Sequence, residues 1–538
     1  MNMKKILCFL IAMCLLPCVF AQDYSNYMQN TQRIRALQAK YPDKVQFKSL
    51  GKTVTGKDIW VIIIGKGETE RKPAIAIVGG VDGRHLLGVE MAMGLAERIP
   101  AQPGIDVILA ANTYYIFPNV NPDATEQYFA PLRYERTVNA RETDNDRDGY
   151  INEDPYDDLN GDGMITKMRV EMPGGTHVES SIDPRVLAPA DPAKGQIGKY
   201  LVLSEGIDND KDGLFNEDGE GGVNFNRNFT FRYVNFKPES GEHAVSEAES
   251  IAVADFLYDA FNVHTVLSFS LSNNISEAPK VYMTSHSGVV RDQENTGDSK
   301  IYSYVTSLYH QFVSDKVNPT ALPAEGGEFH TWAYQHYGRY SFTTPAWWPV
   351  LEDEKDKEIT GNLELLFLKW AEANDINDEF VPWTTVKHPD FPNHKVEVGG
   401  IKPFVMYNPP FSMVSELLDK HVAFVNALTQ AAPRFAIIDF KQEALDKDVF
   451  RITLTVKNNG IMPTLNQIGE RSIFLKFITI QLNTASGQNL LQGNRRVTRP
   501  VLNGGETSEF TWLIHGRGRI KVEAGCPTAG FATAEITL

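Results

Sequence analysis

The residues whose types and spacing could do chemistry fall in five short stretches of this 538-residue chain. The first is Gly79-Gly80-Val81-Asp82-Gly83-Arg84-His85, a glycine-rich turn with a carboxylate and an imidazole three positions apart. Both are acceptable zinc donors. The second is Asn121-Pro122-Asp123, with Arg133, Arg136 and Arg141 following. Taken one by one, such arginines read as an ordinary solvated basic face. The third is an acidic run with an internal repeat. Asp144, Asp146, Asp148, Gly149 and Asn152 recur as Asp208, Asp210, Asp212, Gly213 and Asn216, and a looser copy holds Asp158, Asn160, Asp162 and Gly163. Oxygen side chains at loop positions one, three and five, with glycine at six, suit a hard cation. No copy has Glu at position twelve, and two place Asn-Glu-Asp at nine to eleven. Structural calcium is expected at these residues, because so many carboxylates repel one another unless a cation neutralises them. The fourth stretch is Gly221-Gly222-Val223-Asn224-Phe225-Asn226-Arg227-Asn228-Phe229. The fork of Arg227 matches a carboxylate with two parallel hydrogen bonds. The fifth pairs Ser268-Phe269-Ser270 with Phe342-Thr343-Thr344-Pro345.

Strands and helices must hold these stretches in place. Ala74 to Val78 reads as a short buried strand, and Leu87, Met91, Gly94 and Leu95 follow at helical spacing. The turn between them lies at a strand's C-terminal end, where open α/β sheets bind ligands. Tyr24 to Tyr41 reads as a helix. Val45 to Leu50 and Ile59 to Gly65 read as an antiparallel pair around a turn at Thr53 to Lys57. Val107 to Leu109, Tyr114 to Phe117 and Val263 to Phe269 read as further strands. Ser246 and Glu249 form a capping-box pattern that opens a helix through Phe256. Leu363 to Asn374 and Ser412 to Ala431 are helical, with a Pro-, Gly- and His-rich connection, residues 386 to 410, between them. This alternation predicts a mixed α/β sheet covered on both faces. Beyond Pro433 the pattern changes. Phe435 to Phe440, Val449 to Val456, Ile473 to Leu482, Ser508 to Ile514 and Gly518 to Val522 predict a β-sandwich of immunoglobulin-like type.

In their order, the motifs from residue 22 to 432 resemble the zinc carboxypeptidases of the M14 type. The resemblance implies an eight-stranded type of mixed sheet with helices on both faces. It also implies roles. The family carries His-x-x-Glu where Asp82 and His85 stand, a third zinc-binding His where Ser270 stands, and a catalytic Glu where Pro345 stands. Arg136 falls at the arginine that polarises the scissile carbonyl. Asn226 and Arg227 fall at the pair that grips the substrate's terminal carboxylate. Asp82, His85 and Ser270 therefore occupy degenerate zinc positions. A zinc hydrolase needs three protein ligands, an open coordination position and a base. The expectation is a protein that keeps the fold and the carboxylate grip and binds a peptide or protein C-terminus with little or no cleavage. One alternative is an active zinc metallocarboxypeptidase with a rearranged site that recruits Glu325, Glu328, His330 or Glu352. Another is a calcium-stabilised cell-surface adhesion or scaffold protein. His264 reads as a structural histidine.

Net charge of -16 argues against nucleic acid or an anionic membrane as partner. Lys4 and Lys5, the apolar run Ile6 to Leu16 and Val19-Phe20-Ala21 have the parts of a secretory signal, residues 1–21, which predicts a periplasmic, secreted or cell-surface protein. Cys8, Cys14 and Cys18 go with that segment, so Cys526 is left without an intrachain partner. No later run is long and apolar enough to span a bilayer. The expected organisation is a main domain over residues 22–432, with an acidic insert at 142–222, and the sandwich over 433–538.

Overall fold

A computed structural model describes residues 23–144, 149–277, 296–316, 326–352 and 354–538. The signal-like segment 1–21 and the candidate residues Asp146, Asp148 and Glu325 lie outside the described residues.

The chain first builds β1 (Val45–Lys52), β2 (Asp58–Ile64), β3 (Ala74–Val78) and β4 (Thr113–Phe117). The insert contributes β5 (Lys167–Glu171), β6 (His177–Glu179), β7 (Leu187–Pro189) and β8 (Tyr200–Ser204). Then come β9 (Val263–Phe269), β10 (Tyr340–Thr344) and a hairpin of β11 (Phe380–Val386) and β12 (Lys395–Ile401). The main sheet runs β1-β2-β4-β3-β9-β10, with β4, β3, β9 and β10 parallel and β1 and β2 antiparallel at one edge. It has six strands among the described residues, against the eight-stranded type that the resemblance implied.

Every residue of β3 and β9 is buried, which is why both read as unbroken apolar runs. Alternation sorts their side chains onto two faces. Ile75, Ile77, Leu267 and Phe269 join one core with helices Leu86–Arg98, Ser299–Phe312, Leu363–Ala373 and Val414–Ala431. Ala76, Val78 and Val266 join the other with helices Ala248–Asp259 and Phe329–Gln335. The chain leaves β3 for β4 on one side and returns to β9 on the other. This order opens a crevice at the strands' C-terminal ends.

Several local expectations need correction. Val107 to Leu109 is part of a helix, Ile105–Ala111, started by Gly104 at φ 71°. Val107 is 79% exposed, so nothing holds it in a sheet, and three apolar residues do not distinguish the two periods. The Pro- and Gly-rich connection contains β12, whose Gly399–Gly400 pair hides the strand pattern. Ser246 and Glu249 form no capping box. The N-cap is Glu247, with no side-chain cap of its own. Asn228 serves instead: its Oδ1 accepts from Glu247 N at 3.3 Å and from the Ser250 hydroxyl.

The insert is a folded layer. β5 to β8 and the late hairpin form one antiparallel sheet in the order β11-β12-β5-β8-β6-β7. The C-terminal unit comprises β13 (Phe435–Asp446), β14 (Val449–Asn458), β15 (Ile478–Thr484), β16 (Asn489–Gln492), β17 (Arg496–Arg499), β18 (Thr507–His515), β19 (Arg519–Cys526) and β20 (Gly530–Thr537). These form two four-stranded antiparallel sheets, β13-β14-β18-β16 and β17-β15-β19-β20. The strand expected from Ile473 begins only at Ile478, and Ile473 is 89% exposed. The sandwich is tied to the main unit. Met462 is buried in the main core, and Asp298 accepts from Gln467 N at 3.1 Å.

Burial acts on several histidines of the main unit. Burial pushes the pKa of His264 down to about 3 and those of His330 and His421 to about 4. An unfolded histidine takes up its proton near pH 6.5, whereas folded His330 and His421 refuse it until about 4. Stability is therefore expected to fall as pH drops through that window, by ~3 kcal/mol for each of these two histidines. Urea unfolding of wild type and His421→Gln across the window isolates one contribution, and parallel curves would contradict it.

Candidate functional site

The loops after β3, β4, β9 and β10 meet at the same end of the sheet. Gly80 sits at φ 72°, and a Cβ there would lie 2.2 Å from Asn119 Oδ1, so only glycine lets the loops after β3 and β4 interlock. Asp82 Oδ2 accepts from Leu271 N at 2.8 Å. His85 Nε2–H donates to the Pro345 carbonyl at 3.1 Å. Ser270 Oγ accepts from Ser272 N at 3.0 Å and from Thr343 Oγ1 at 3.3 Å, while Ser270 N donates to the Thr344 carbonyl at 3.1 Å. The fold thus converges Asp82, His85, Ser270 and Pro345 as the motif order implied.

Their chemistry does not fit a zinc ion. His85 is fully buried and one ring nitrogen is spent on Pro345. The other, Nδ1, lies against Gly88, enclosed and without a hydrogen bond. Burial pushes the His85 pKa down to about 4, with the Asp82 charge working the other way. Ser270 is a neutral hydroxyl already engaged twice, and Pro345 offers no base. Glu328 and His330 face each other at 3.9 Å beside Asn226, and Glu352 is exposed. Among the described residues, the one group of three or more His, Cys, Asp or Glu with ligand atoms within 4.8 Å of one another is Asp208, Asp210 and Asp212, in the insert.

Asn121-Pro122-Asp123 has a structural task. Asp123 accepts from Thr53 Oγ1 at 3.0 Å and Lys57 Nζ at 2.8 Å, which pins the β1–β2 turn. Burial opposes ionisation of Asp123, but Lys57 and the threonine hydroxyls outweigh it and hold the carboxyl below its ordinary pKa. The Arg136 backbone touches the β3 turn: a Cβ on Gly83 would lie 2.5 Å from the Arg136 carbonyl oxygen. Its guanidinium, however, donates to the carbonyls of Val138 at 3.0 Å and Asn139 at 2.8 Å. Two of its nitrogens, Nε and Nη2, thus hold backbone.

The fourth stretch forms a 3-10 turn, Phe225–Arg227, capped by Asn224 Oδ1 on Asn226 N at 2.9 Å. Asn226 Oδ1 accepts from Phe329 N at 3.0 Å and docks the helix Phe329–Gln335. Arg227 Nη1 pairs with Glu239 Oε2 at 3.0 Å. Asn224 Nδ2 donates to that oxygen at 3.1 Å, and Thr137 Oγ1 donates to Oε1 at 3.2 Å. A carboxylate of the chain itself thus lies in a cradle of three donors. Glu239 adopts φ 63° and borders a cavity of about 460 Å³ together with Arg136, Tyr156 and Glu217. Sequence reasoning missed Glu239 and Thr137. Lys237-Pro238-Glu239-Ser240 reads as an ordinary polar turn, and no spacing announces it.

In the acidic repeats, Asp144 Oδ2 accepts from Gly149 N at 3.0 Å. Asp158 accepts from Gly161 N at 2.7 Å and Gly163 N at 2.8 Å, and Asn160 Nδ2 donates to Asp162 at 3.0 Å. The second well-matched copy alone gathers three carboxylates among the described residues.

A family model described as zinc carboxypeptidase matches residues 31–347. The chain belongs to the zinc carboxypeptidase family. Residues 434–537 match a domain of unknown function. Carboxypeptidase M of Mus musculus is 27% identical over 143 residues, which is 25% of this chain and 32% of that protein. Carboxypeptidase SOL1 of Arabidopsis thaliana is 31% identical over 145 residues, 25% of this chain and 28% of that protein. The matched stretches span a third or less of these relatives. Bovine thrombin-activatable fibrinolysis inhibitor, solved with tick carboxypeptidase inhibitor, aligns at 13% identity with a TM-score of 0.42, over 76% of this chain and 96% of that one. A zinc carboxypeptidase is expected to hold zinc and to act at peptide C-termini. In this member the residues at the metal positions do not match that cofactor.

Elemental mass spectrometry of the dialysed protein should therefore find far less than one zinc per chain. Ser270→His alone should not raise that content, since His85 still turns Nε2 to Pro345. Stoichiometric zinc in either protein would contradict this geometry.

Proposed function

We propose that this zinc carboxypeptidase family member binds peptide or protein C-termini without efficient cleavage. The observation that carries the reading is the Glu239 carboxylate on Arg227, Asn224 and Thr137. The donors suit a carboxylate, and a chain terminus offers the same group. On this reading Glu239 is an internal stand-in that a ligand displaces. Catalysis has little support: Pro345 supplies no base, and general-base catalysis is worth ~10²–10⁴ in rate. Export is part of the proposal, on the strength of the signal-like segment 1–21. So are an immunoglobulin-like C-terminal sandwich and structural calcium in the insert, which suit an extracellular binding protein.

Calorimetry with peptides carrying a free or an amidated C-terminus tests this. The free carboxylate should bind, and the amide should bind at least ~10-fold more weakly, because hydrogen bonds to charged groups are worth ~1.5–3 kcal/mol. Arg227→Ala should weaken binding by ~10–100-fold on the same scale. Glu239→Gln, which removes the competing charge, should strengthen it. Unchanged affinity in both variants would overturn the reading. Chelator-sensitive release of C-terminal residues would favour the active metallocarboxypeptidase instead.

A further inference from the structure

The two well-matched acidic repeats brace one another. Asp154, the last residue of the first copy, accepts from Asn209 N at 2.9 Å and from Asn216 N in the second. Asp218, the last residue of the second, accepts from Asn152 N at 3.0 Å in the first. Asn152 and Asn216 hold the same position in their copies and share a φ of 59°. Gly149 and Gly213 match as well, at 103° and 97°. The described ends of the two copies therefore share these backbone conformations, and each is closed by the other's terminal carboxylate.

The second copy has the features of a cation site. Asp208, Asp210 and Asp212 bring their carboxylate oxygens within 4.8 Å of one another. Asp208 is only 8% exposed, and its Oδ1 is enclosed with no hydrogen bond. Asn216 is 7% exposed, and its Oδ1 is likewise enclosed without a donor. Glu217 adds two more enclosed oxygens. A buried polar atom left unpaired costs ~1–3 kcal/mol, and more when it is charged. Hydrogen bonds from the loop do not relieve this. Lys211 Nζ is held by Asp390 at 2.8 Å, and His388 Nε2–H donates to the Gly206 carbonyl at 2.8 Å. These contacts anchor the loop to the β11–β12 connection and leave the Asp208 Oδ1 unsatisfied.

We propose, resting on the structural calcium read into the insert above, that Asp208, Asp210 and Asp212 form a calcium site on the loop of residues 208–218. All three donors are oxygens, which suits a hard ion rather than a thiophilic or imidazole-seeking one. The loop is irregular and multidentate, which suits calcium better than magnesium, an ion that demands near-ideal octahedral geometry. Bound calcium neutralises the cluster and stabilises the folded insert, since it binds the folded chain and not the unfolded one.

The test is a calorimetric titration of the chelator-treated full chain with calcium, run on wild type, Asp210→Asn and Asp208→Asn. In wild type Asp210 Oδ1 accepts from Asp212 N at 3.0 Å, and the amide oxygen that Asp210→Asn introduces can accept the same bond, so the loop should keep its shape. Wild type should take up calcium and melt at a higher temperature with it. Each variant should lose one equivalent, or bind it at least ~10-fold more weakly (~1.4 kcal/mol), with an unchanged circular dichroism spectrum. Absence of calcium uptake by wild type at millimolar concentration would overturn the proposal. So would variants that titrate like wild type, or magnesium that competes on equal terms.

Discussion

The register of four parallel strands is the constraint on which the rest of the structure depends. Val78 lies opposite both Phe117 and Ser268, and Phe269 lies opposite Thr344. The strands therefore end almost in line, and their loops emerge side by side. That brings Asp82, Asn119, Ser270 and Pro345 together although they are far apart in the chain. A shift of one residue in β9 would flip its side chains to the other face and break both cores at once, so burial of both faces locks the alignment. The site geometry follows from core packing.

Because the scaffold is assembled this way, the chemistry at the strand ends is free to change while the fold stays. The loops close on themselves with ordinary hydrogen bonds: His85 to Pro345, Leu271 to Asp82, Thr343 to Ser270. A neutral buried imidazole that donates to a carbonyl costs far less than a charged group in the same place, and the depressed pKa of His85 reflects that preference. The charged chemistry sits elsewhere, at Arg227, Glu239 and the acidic loops.

How much of this was legible in the sequence depended on the length of the signal. β3, β9 and the helix after β3 were plain, because continuous burial leaves an unbroken apolar run or a full helical stripe. The helix at Ile105–Ala111 was not, because two turns with an exposed Val107 carry no dominant period. β12 was hidden by its glycines, and β5 to β8 by the acidic run around them. At the site, Asp82, His85, Ser270 and Pro345 could be placed from motif order, and they do converge. The task of Arg136 could not, since whether a guanidinium meets backbone or ligand is decided by the turn it faces. Glu239 was invisible for the same reason. Its role comes from a positive-φ turn that swings it onto Arg227, and nothing in Lys237-Pro238-Glu239 encodes that contact locally.

Two crowded carboxylate systems border one cavity. Glu239 lies on one wall, and Asn216 and Glu217 of the acidic loop lie on another. The first carboxylate is balanced by donors of the protein itself. The second group is short of them, and its oxygens are enclosed without donors. The chain runs from Asp218 through Gly221 to Arg227 in a few residues, so the position of the loop bears directly on the turn that presents the arginine. Gly221 makes the link tight: a Cβ there would lie 1.9 Å from the Asn139 carbonyl oxygen and 2.5 Å from Arg136 Nη2. Neutralising the loop removes repulsion on one side of this connection, and seating a carboxylate on Arg227 fixes the other. On the proposed readings, the insert is then the outer wall of the carboxylate site, and its charge balance sets how firmly that wall is held.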